Sequence, residues 1–217
     1  MKLEQMNDFF AARVDGYDEH MRTTIEGAAD FYAYTASLLP AEPGARVLDL
    51  GCGTGLELEE YFRLNPDAAV TGVDLSDAML NALKAKFPDR KLSLVQGSYF
   101  DVPFGENVYN AAVSVESLHH FTAEQKESLY TRLYAALKKN GCFVLTDYFA
   151  ESEEQEQELF RNLKQLKKEQ GLPDDEFFHY DTPLTVEHES AALRNAGFSE
   201  VRAMKNWGHT FTLLAVR

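Results

Sequence analysis

Between residues 45 and 150, short unbroken apolar runs alternate with longer stretches whose apolar positions recur every three or four residues. That alternation predicts βαβ units and a parallel sheet covered on both faces. Arg46–Leu50 reads as the first strand, Leu56–Leu64 as a helix and Ala69–Asp74 as the second strand. Ser76 caps a helix with Met79, Ala82, Leu83 and Lys86 on one face, which ends at Pro88. Lys91–Gln96, 110–115 and 141–147 supply three further strands. Between the last two, Thr122 and Gln125 fit a capping box, and Leu129, Leu133 and Leu137 form the stripe of the helix that follows. Lys138-Lys139-Asn140-Gly141 reads as its cationic last turn and stop.

The ends of the chain follow a different pattern. Residues 2–38 read as helical, with a break at Gly16 or Gly27 and a stop at Pro40 or Pro43. Residues 151–170 form a charged helix with one apolar stripe, Leu159, Leu163 and Leu166 plus Phe160. Its acidic start suits the positive end of the helix dipole and otherwise makes a solvated face. A turn at 171–175, a helix at 185–196 ended by Gly197, and two strands at 200–205 and 210–216 follow. Asn206-Trp207-Gly208-His209 between those strands resembles a hairpin connection.

Composition narrows the classes. The chain has 217 residues, 45% hydrophobic and 26% charged, as an ordinary globular domain does, which excludes disorder and fibrous architectures. Its formal net charge of −14 repels nucleic acid and anionic lipid surfaces, so neither is expected as a partner. No stretch reaches the roughly 18 apolar residues of a membrane span. The opening Met1-Lys2-Leu3-Glu4-Gln5-Met6-Asn7-Asp8 has no apolar h-region, and a cytoplasmic location is expected. Cys52 and Cys142 are too few for a disulfide framework or a zinc site. They also fall at opposite ends of parallel strands, roughly 17 Å or more apart, beyond the reach of a bridge.

The most specific segment is Val47-Leu48-Asp49-Leu50-Gly51-Cys52-Gly53-Thr54-Gly55, a strand running directly into alternating glycines and then a helix. Glycine lets a ligand approach the backbone closely, and the helix start offers free N–H groups. About 20 residues on, the second strand ends in Asp74, placed for ribose hydroxyls. The dinucleotide fingerprint G-x-G-x-x-G needs a glycine at 56, where this chain has Leu56; its spacing is G-x-G-x-G, with Asp49 just before. A carboxylate there repels a pyrophosphate and suits a cationic ligand. S-adenosylmethionine fits, with its sulfonium, its α-amino group and a ribose for Asp74.

On these residues the chain resembles a class I S-adenosylmethionine-dependent methyltransferase of the small-molecule type, strongly over 40–150 and again at 185–216, where Ala196-Gly197-Phe198 is similar to the family's end segment. The resemblance implies an α/β, doubly wound, mostly parallel seven-stranded Rossmann-like sheet with an antiparallel C-terminal strand and helical lid segments. By it, Gly51, Gly53 and Gly55 approach the methionine part of the cofactor, with Cys52 a small residue of the same loop. Asp49 orders the loop and the amino group, Asp74 grips the ribose hydroxyls, and Leu75 and Met79 border the adenine. Gly97-Ser98-Tyr99 is similar to the family's motif after the third strand, usually Gly-Asp followed by a small residue. Here Ser98 replaces the acid, leaving its hydroxyl or the Tyr99 N–H to meet the adenine. Val115 and Glu116 lie beside the methionine portion. Tyr17, in Asp15-Gly16-Tyr17-Asp18, resembles a segment that folds over the cofactor, and is equally an amphipathic packing residue.

The resemblance also implies a single domain, 1–217, with 1–40 as an N-terminal helical lid and 151–184 as a helical insertion in the substrate pocket. Phe9, Phe10, Tyr17, Phe177, Phe178 and Tyr180 supply its aromatic content and suggest a small organic acceptor, bound by a monomer or homodimer. Methyl transfer from a sulfonium is an in-line displacement that chiefly needs alignment and exclusion of water. For an oxygen or nitrogen acceptor the candidate bases are His119 or His120, then Glu116. Adjacent histidines are expected to diverge, and no metal site is expected. Asp147 and Tyr148, ending the fifth strand, suit structural hydrogen bonding and substrate contact equally. The alternatives are a non-catalytic S-adenosylmethionine-binding sensor or partner subunit, modification of the cofactor itself, and an NAD-dependent oxidoreductase.

Overall fold

Along β1 (Arg46–Leu50) the side chains alternate, Val47 packing on one side of the sheet and Leu48 and Leu50 on the other, all fully buried. A strand buried on both faces needs a helical layer over each, and a computed structural model describing residues 1–217 has that arrangement. The other strands are β2 (Ala69–Asp74), β3 (Lys91–Gln96), β4 (Tyr109–Val115), β5 (Leu137–Tyr148), β6 (Glu200–Trp207) and β7 (Thr210–Val216). They form one seven-stranded sheet in the order β3-β2-β1-β4-β5-β7-β6. Strands β1 to β5 pair in parallel, and β7 runs antiparallel to both of its neighbours.

On one face, α3 (Ala28–Ser37), α4 (Leu56–Leu64) and α5 (Asp77–Lys86) bury Phe31, Leu58, Tyr61 and Leu83 against Val47 and Val70. On the other, α6 (Ala123–Ala136) and α8 (Val186–Asn195) bury Leu129, Leu133 and Leu193 against Leu48, Leu145 and Leu213. The strand order reverses between β1 and β4, which opens a crevice at the carboxyl ends of the strands. Across it lie α1 (Met6–Ala11) and α2 (Tyr17–Thr24), while α7 (Glu153–Gln170) follows β5. No helix is long and apolar enough to cross a membrane.

Several boundaries differ from the sequence expectation. The N-terminal region breaks at both glycines, because Gly16 and Gly27 adopt left-handed conformations (φ +83° and +76°) that each start a new helix. The stretch 137–141 is not a helix end but the opening of β5. Leu137 is fully buried in extended geometry opposite Tyr109, and the register then jumps to Ala111 opposite Cys142. Lys138 reaches Asn110 Oδ1 at 3.0 Å, so its charge serves β4 and not a helix dipole. Strand β6 runs two residues further than expected, to Trp207, leaving Gly208 and His209 as the turn, while β7 has the expected bounds. The Thr122/Gln125 capping box is present as read.

The two helices on the second face are tied by an ion pair inside the core. Lys126 Nζ lies 2.6 Å from Glu189 Oε2, both side chains almost fully buried, and the Tyr130 hydroxyl donates to Glu189. Removing one partner strands a charge without water. Glu189→Ala is expected to cost about 3–5 kcal/mol in urea denaturation, and Lys126→Met combined with Glu189→Leu to restore most of it.

Candidate functional site

The loop after β1 is held in shape from below. The Gly51 N–H donates to Val73 O at 2.8 Å, and the Gly53 N–H to Asp74 Oδ2 at 2.8 Å. Asp74 Oδ1 accepts the Ser76 N–H, also at 2.8 Å, so its carboxylate fixes both the loop and the start of α5. Burial raises the Asp74 pKa and these N–H groups oppose it. At Gly51 (φ +71°) a Cβ would run into the Ser117 side chain, so only glycine fits. Gly55 faces elsewhere: its Cβ direction meets Leu83 and Phe87, making it a packing glycine between the loop and α5.

Beneath the loop, Asp49 is buried and neither of its carboxylate oxygens has a hydrogen-bond partner. Burial and then the charge of Glu57, itself buried, hold the Asp49 pKa well above the usual range. Unsatisfied acids at this place leave the loop poorly suited to a pyrophosphate and well suited to a ligand carrying positive charge. Asp18 of α2 accepts from Thr54 Oγ1 and pairs with Lys86 Nζ, both at 2.5 Å, which fastens the N-terminal helices over the loop.

The second half of the site stands on the ends of β4 and β5. Glu116 leaves β4 at φ +49°, and a single 3-10 turn, Leu118–His120, follows. His119 Nδ1 lies 2.5 Å from Asp147 Oδ1, and Asp147 Oδ2 accepts the Leu118 N–H at 2.8 Å. Burial alone would lower the His119 pKa, but the Asp147 charge and hydrogen bond outweigh it and push it up to about 9. His120 moves the other way, to about 4, through burial and the neighbouring His119 charge. Glu116 is raised to about 7 by burial and then by Asp147. The two rings do not diverge: their centroids are 4.0 Å apart with the planes inclined by 55°, because the tight turn brings them together and Asp181 approaches both.

These shifts carry a sign for stability. The folded state holds protons on His119 and Glu116 that the unfolded chain releases earlier. The His119 contribution is complete below pH 6.5 and lost as pH rises through about 9; the Glu116 contribution is lost between 4.5 and about 7. His120, lowered to about 4, contributes in the opposite sense between about 4 and 6.5, so the melting temperature of the ligand-free protein is expected to fall with rising pH across the upper window, from 6.5 to about 9. Asp147→Asn should flatten the upper part of the curve in scanning calorimetry.

Two cavities meet here. A narrow cleft of about 60 Å³ is lined by Gly51, Gly53, Asp74, Leu75, Met79, Tyr99, Val115, Glu116 and Tyr17, with Met6, Phe10, Ser117 and His120. Of the expected cofactor residues, these nine line it. Asp49, Cys52, Gly55, Gly97 and Ser98 do not. The buried Cys52 thiol packs against Gly72, and the Ser98 hydroxyl accepts the Phe100 N–H at 3.1 Å. A larger cavity of about 700 Å³ shares Phe10, Tyr17, Glu116 and His120 with the cleft and adds His119, Tyr148, His179 and Asp181. Its wall is completed where the Met6 N–H donates to Phe177 O and the His179 N–H to Glu4 O, both at 3.0 Å. Asp181, His179, Ser117 and Glu57 were not singled out in the sequence. Only the short spacing of Glu57 from the glycines signals its place.

A glycine loop above unsatisfied acids, an acid ending β2 and a reversed seventh strand are the features of the class I methyltransferase fold. The chain matches the methyltransferase domain family over residues 47–141. It is 33% identical over 175 residues to carboxy-S-adenosyl-L-methionine synthase of Chromohalobacter salexigens, covering 73% of this chain and 63% of that protein. The chain thus spans less than two thirds of that relative. With the same-named protein of Campylobacter fetus it is 24% identical over 99% of this chain and 96% of the other. The structure of human N-acetylserotonin methyltransferase in complex with S-adenosylmethionine shares the fold, with a TM-score of 0.67 and 19% identity over 97% of this chain and 56% of that one. Residues 47–141 thus carry a methyltransferase domain, and the chain has the fold of the class I S-adenosylmethionine-dependent methyltransferases.

Proposed function

We propose that this enzyme transfers the methyl group of S-adenosylmethionine to an oxygen or nitrogen of a small organic acceptor held in the larger cavity, releasing S-adenosylhomocysteine. The observation that carries this reading is the His119–Asp147 pair on the wall of a cavity that opens into the glycine-loop cleft. The cofactor brings a methyl group on a positively charged sulfur, an activated leaving group for in-line displacement. Asp74 anchors the ribose, Leu75 and Met79 flank the adenine, and Glu116 and Val115 border the methionine part. His119 Nε2 takes the acceptor's proton while Asp147 orients the ring and stabilises the imidazolium. Glu116, raised toward neutrality and accepting from Thr210 Oγ1 at 3.1 Å, is the second proton-accepting group. Residues 1–40 and 151–184 act as lid and pocket wall, which align the acceptor and exclude water. Two free cysteines and the acidic charge support a cytoplasmic enzyme acting on a small molecule rather than nucleic acid or membrane.

The similarity to two carboxy-S-adenosyl-L-methionine synthases favours one second reading, modification of the cofactor itself. A carboxylate added at the methyl would lie near Glu116, Asp147 and Asp181, with His119 as its main counter-charge. That crowding of acids makes the first reading stronger. Mass spectrometry of reactions with S-adenosylmethionine and pooled phenols, amines and hydroxy acids, each run with and without bicarbonate and a pool of carboxylic acids as carboxyl donors, separates the two. Acceptor-dependent release of S-adenosylhomocysteine with a methylated product supports methyl transfer; a heavier nucleotide with no methylated acceptor overturns it.

A further inference from the structure

We propose that His119, His120 and Asp181 form a binding site for a divalent transition-metal ion, with coordination positions open to the larger cavity and to an oxygen of the acceptor. The location of the acceptor rests on the proposed function; the metal site rests on its own geometry. The ligand atoms of the three side chains lie within 4.8 Å of one another. His120 Nδ1 is 3.2 Å and His119 Nε2 3.6 Å from the same Asp181 Oδ1. Donors bound at about 2.0–2.2 Å in tetrahedral or octahedral geometry sit roughly 3.0–3.6 Å from each other, so both histidine–carboxylate pairs already have the spacing of a ligand set, and the two histidine nitrogens lie within 4.8 Å.

The surroundings match what a metal site needs beyond its ligands. Asp147 accepts from His119 Nδ1, which orients the ring so that Nε2, on giving up its proton to solvent as the ion binds, becomes a ligand, the carboxylate–histidine arrangement that supports metal-bound imidazole. Asp147 is itself held by the N–H groups of Leu118 and Tyr148 at 2.8 and 3.0 Å. The segment carrying Asp181 is pinned beside the turn by the Thr182 N–H donating to His119 O at 2.7 Å. Two imidazoles and one carboxylate suit Zn²⁺, Fe²⁺, Co²⁺ or Mn²⁺ and not Ca²⁺ or Mg²⁺, and the open positions match the two-histidine, one-carboxylate pattern. Glu116, Asp147 and Asp181 also gather negative charge that a divalent ion offsets. With the ion bound, His119 is a ligand rather than a proton acceptor, and a hydroxyl on the ion ionises more readily, its proton passing to cavity water.

Protein dialysed against a chelator is titrated with Co²⁺ and followed by its visible ligand-field bands, with Zn²⁺ added to displace it. Saturable binding of one Co²⁺ per chain is expected, reversed by Zn²⁺, lost in His120→Ala and in Asp181→Asn, and retained in His209→Ala, an exposed histidine outside the cluster. Asp147→Asn should weaken it about 10- to 100-fold. The thermal shift given by S-adenosylhomocysteine checks that each variant is folded. Absence of the bands, or bands that survive the His120→Ala/Asp181→Asn double variant, overturns the site while leaving the methyltransferase reading standing. Metal binding without any acceptor-dependent methylation would instead remove that reading and keep the site.

Discussion

Asp74→Ala is expected to weaken S-adenosylmethionine and S-adenosylhomocysteine binding by roughly 10²- to 10⁴-fold. A hydrogen bond to a charged group contributes about 1.5–3 kcal/mol, and losing both ribose contacts removes about 3–6 kcal/mol. The carboxylate also accepts from Gly53 and Ser76 N–H, so its removal loosens the loop and adds to the loss. In a thermal-shift series, a nucleotide at 100 times its dissociation constant stabilises the wild type by about 2.7 kcal/mol, a rise of about 5–10 °C. The variant should shift by no more than about 1–2 °C at the same concentration. NAD should shift neither protein, because the G-x-G-x-G loop, with Leu56 where the dinucleotide fingerprint has its third glycine, does not wrap a pyrophosphate. A full shift in the variant would mean that the ribose lies elsewhere.

The second large effect concerns the proton. With an identified oxygen or nitrogen acceptor, His119→Ala is expected to lower kcat by about 10²- to 10⁴-fold with little change in nucleotide binding. The pH profile carries the finer test. A base must be unprotonated to act, so kcat/KM in the metal-free enzyme should rise with pH through the His119 titration, up to about 9. Asp147→Asn removes the charge that raises this pKa, so the rising limb should move to lower pH while the plateau falls. Unchanged turnover in His119→Ala would assign catalysis to alignment and exclusion of water alone.

The sequence was most informative where the chemistry is local. Val47 to Gly55 contains a buried strand, a turn that tolerates positive φ and a helix start in consecutive residues, and Asp74 ends the adjacent parallel strand. Each of these is fixed by near neighbours in the chain. The pairing of His119 with Asp147 is not local. Both were recognised as strand-end residues, but their contact depends on β4 lying beside β5 in the register that sets Val115 against Thr146. Neighbours in a sheet are a property of the whole fold. Asp181 and His179 are harder still to read, since they sit in an irregular segment without periodicity and reach the site because that segment pairs with residues 4–6 and bonds to His119 O through the Thr182 N–H. The misplaced end of α6 has a similar cause. Leu137 continues a helical stripe in sequence, yet its burial comes from a strand partner, so periodicity gave the right exposure and the wrong conformation.

That pairing of residues 4–6 with 177–179 is slight, a single antiparallel bridge made by two main-chain hydrogen bonds between segments far apart in the chain. Seams of this kind open locally at a small fraction of the energy needed to unfold the domain. If acceptor and spent nucleotide leave through it, turnover is timed by the seam and not by the methyl-transfer step. Solvent viscosity and substitutions at Gln5 or Phe178 would then govern the maximal rate, although neither residue meets the reacting atoms.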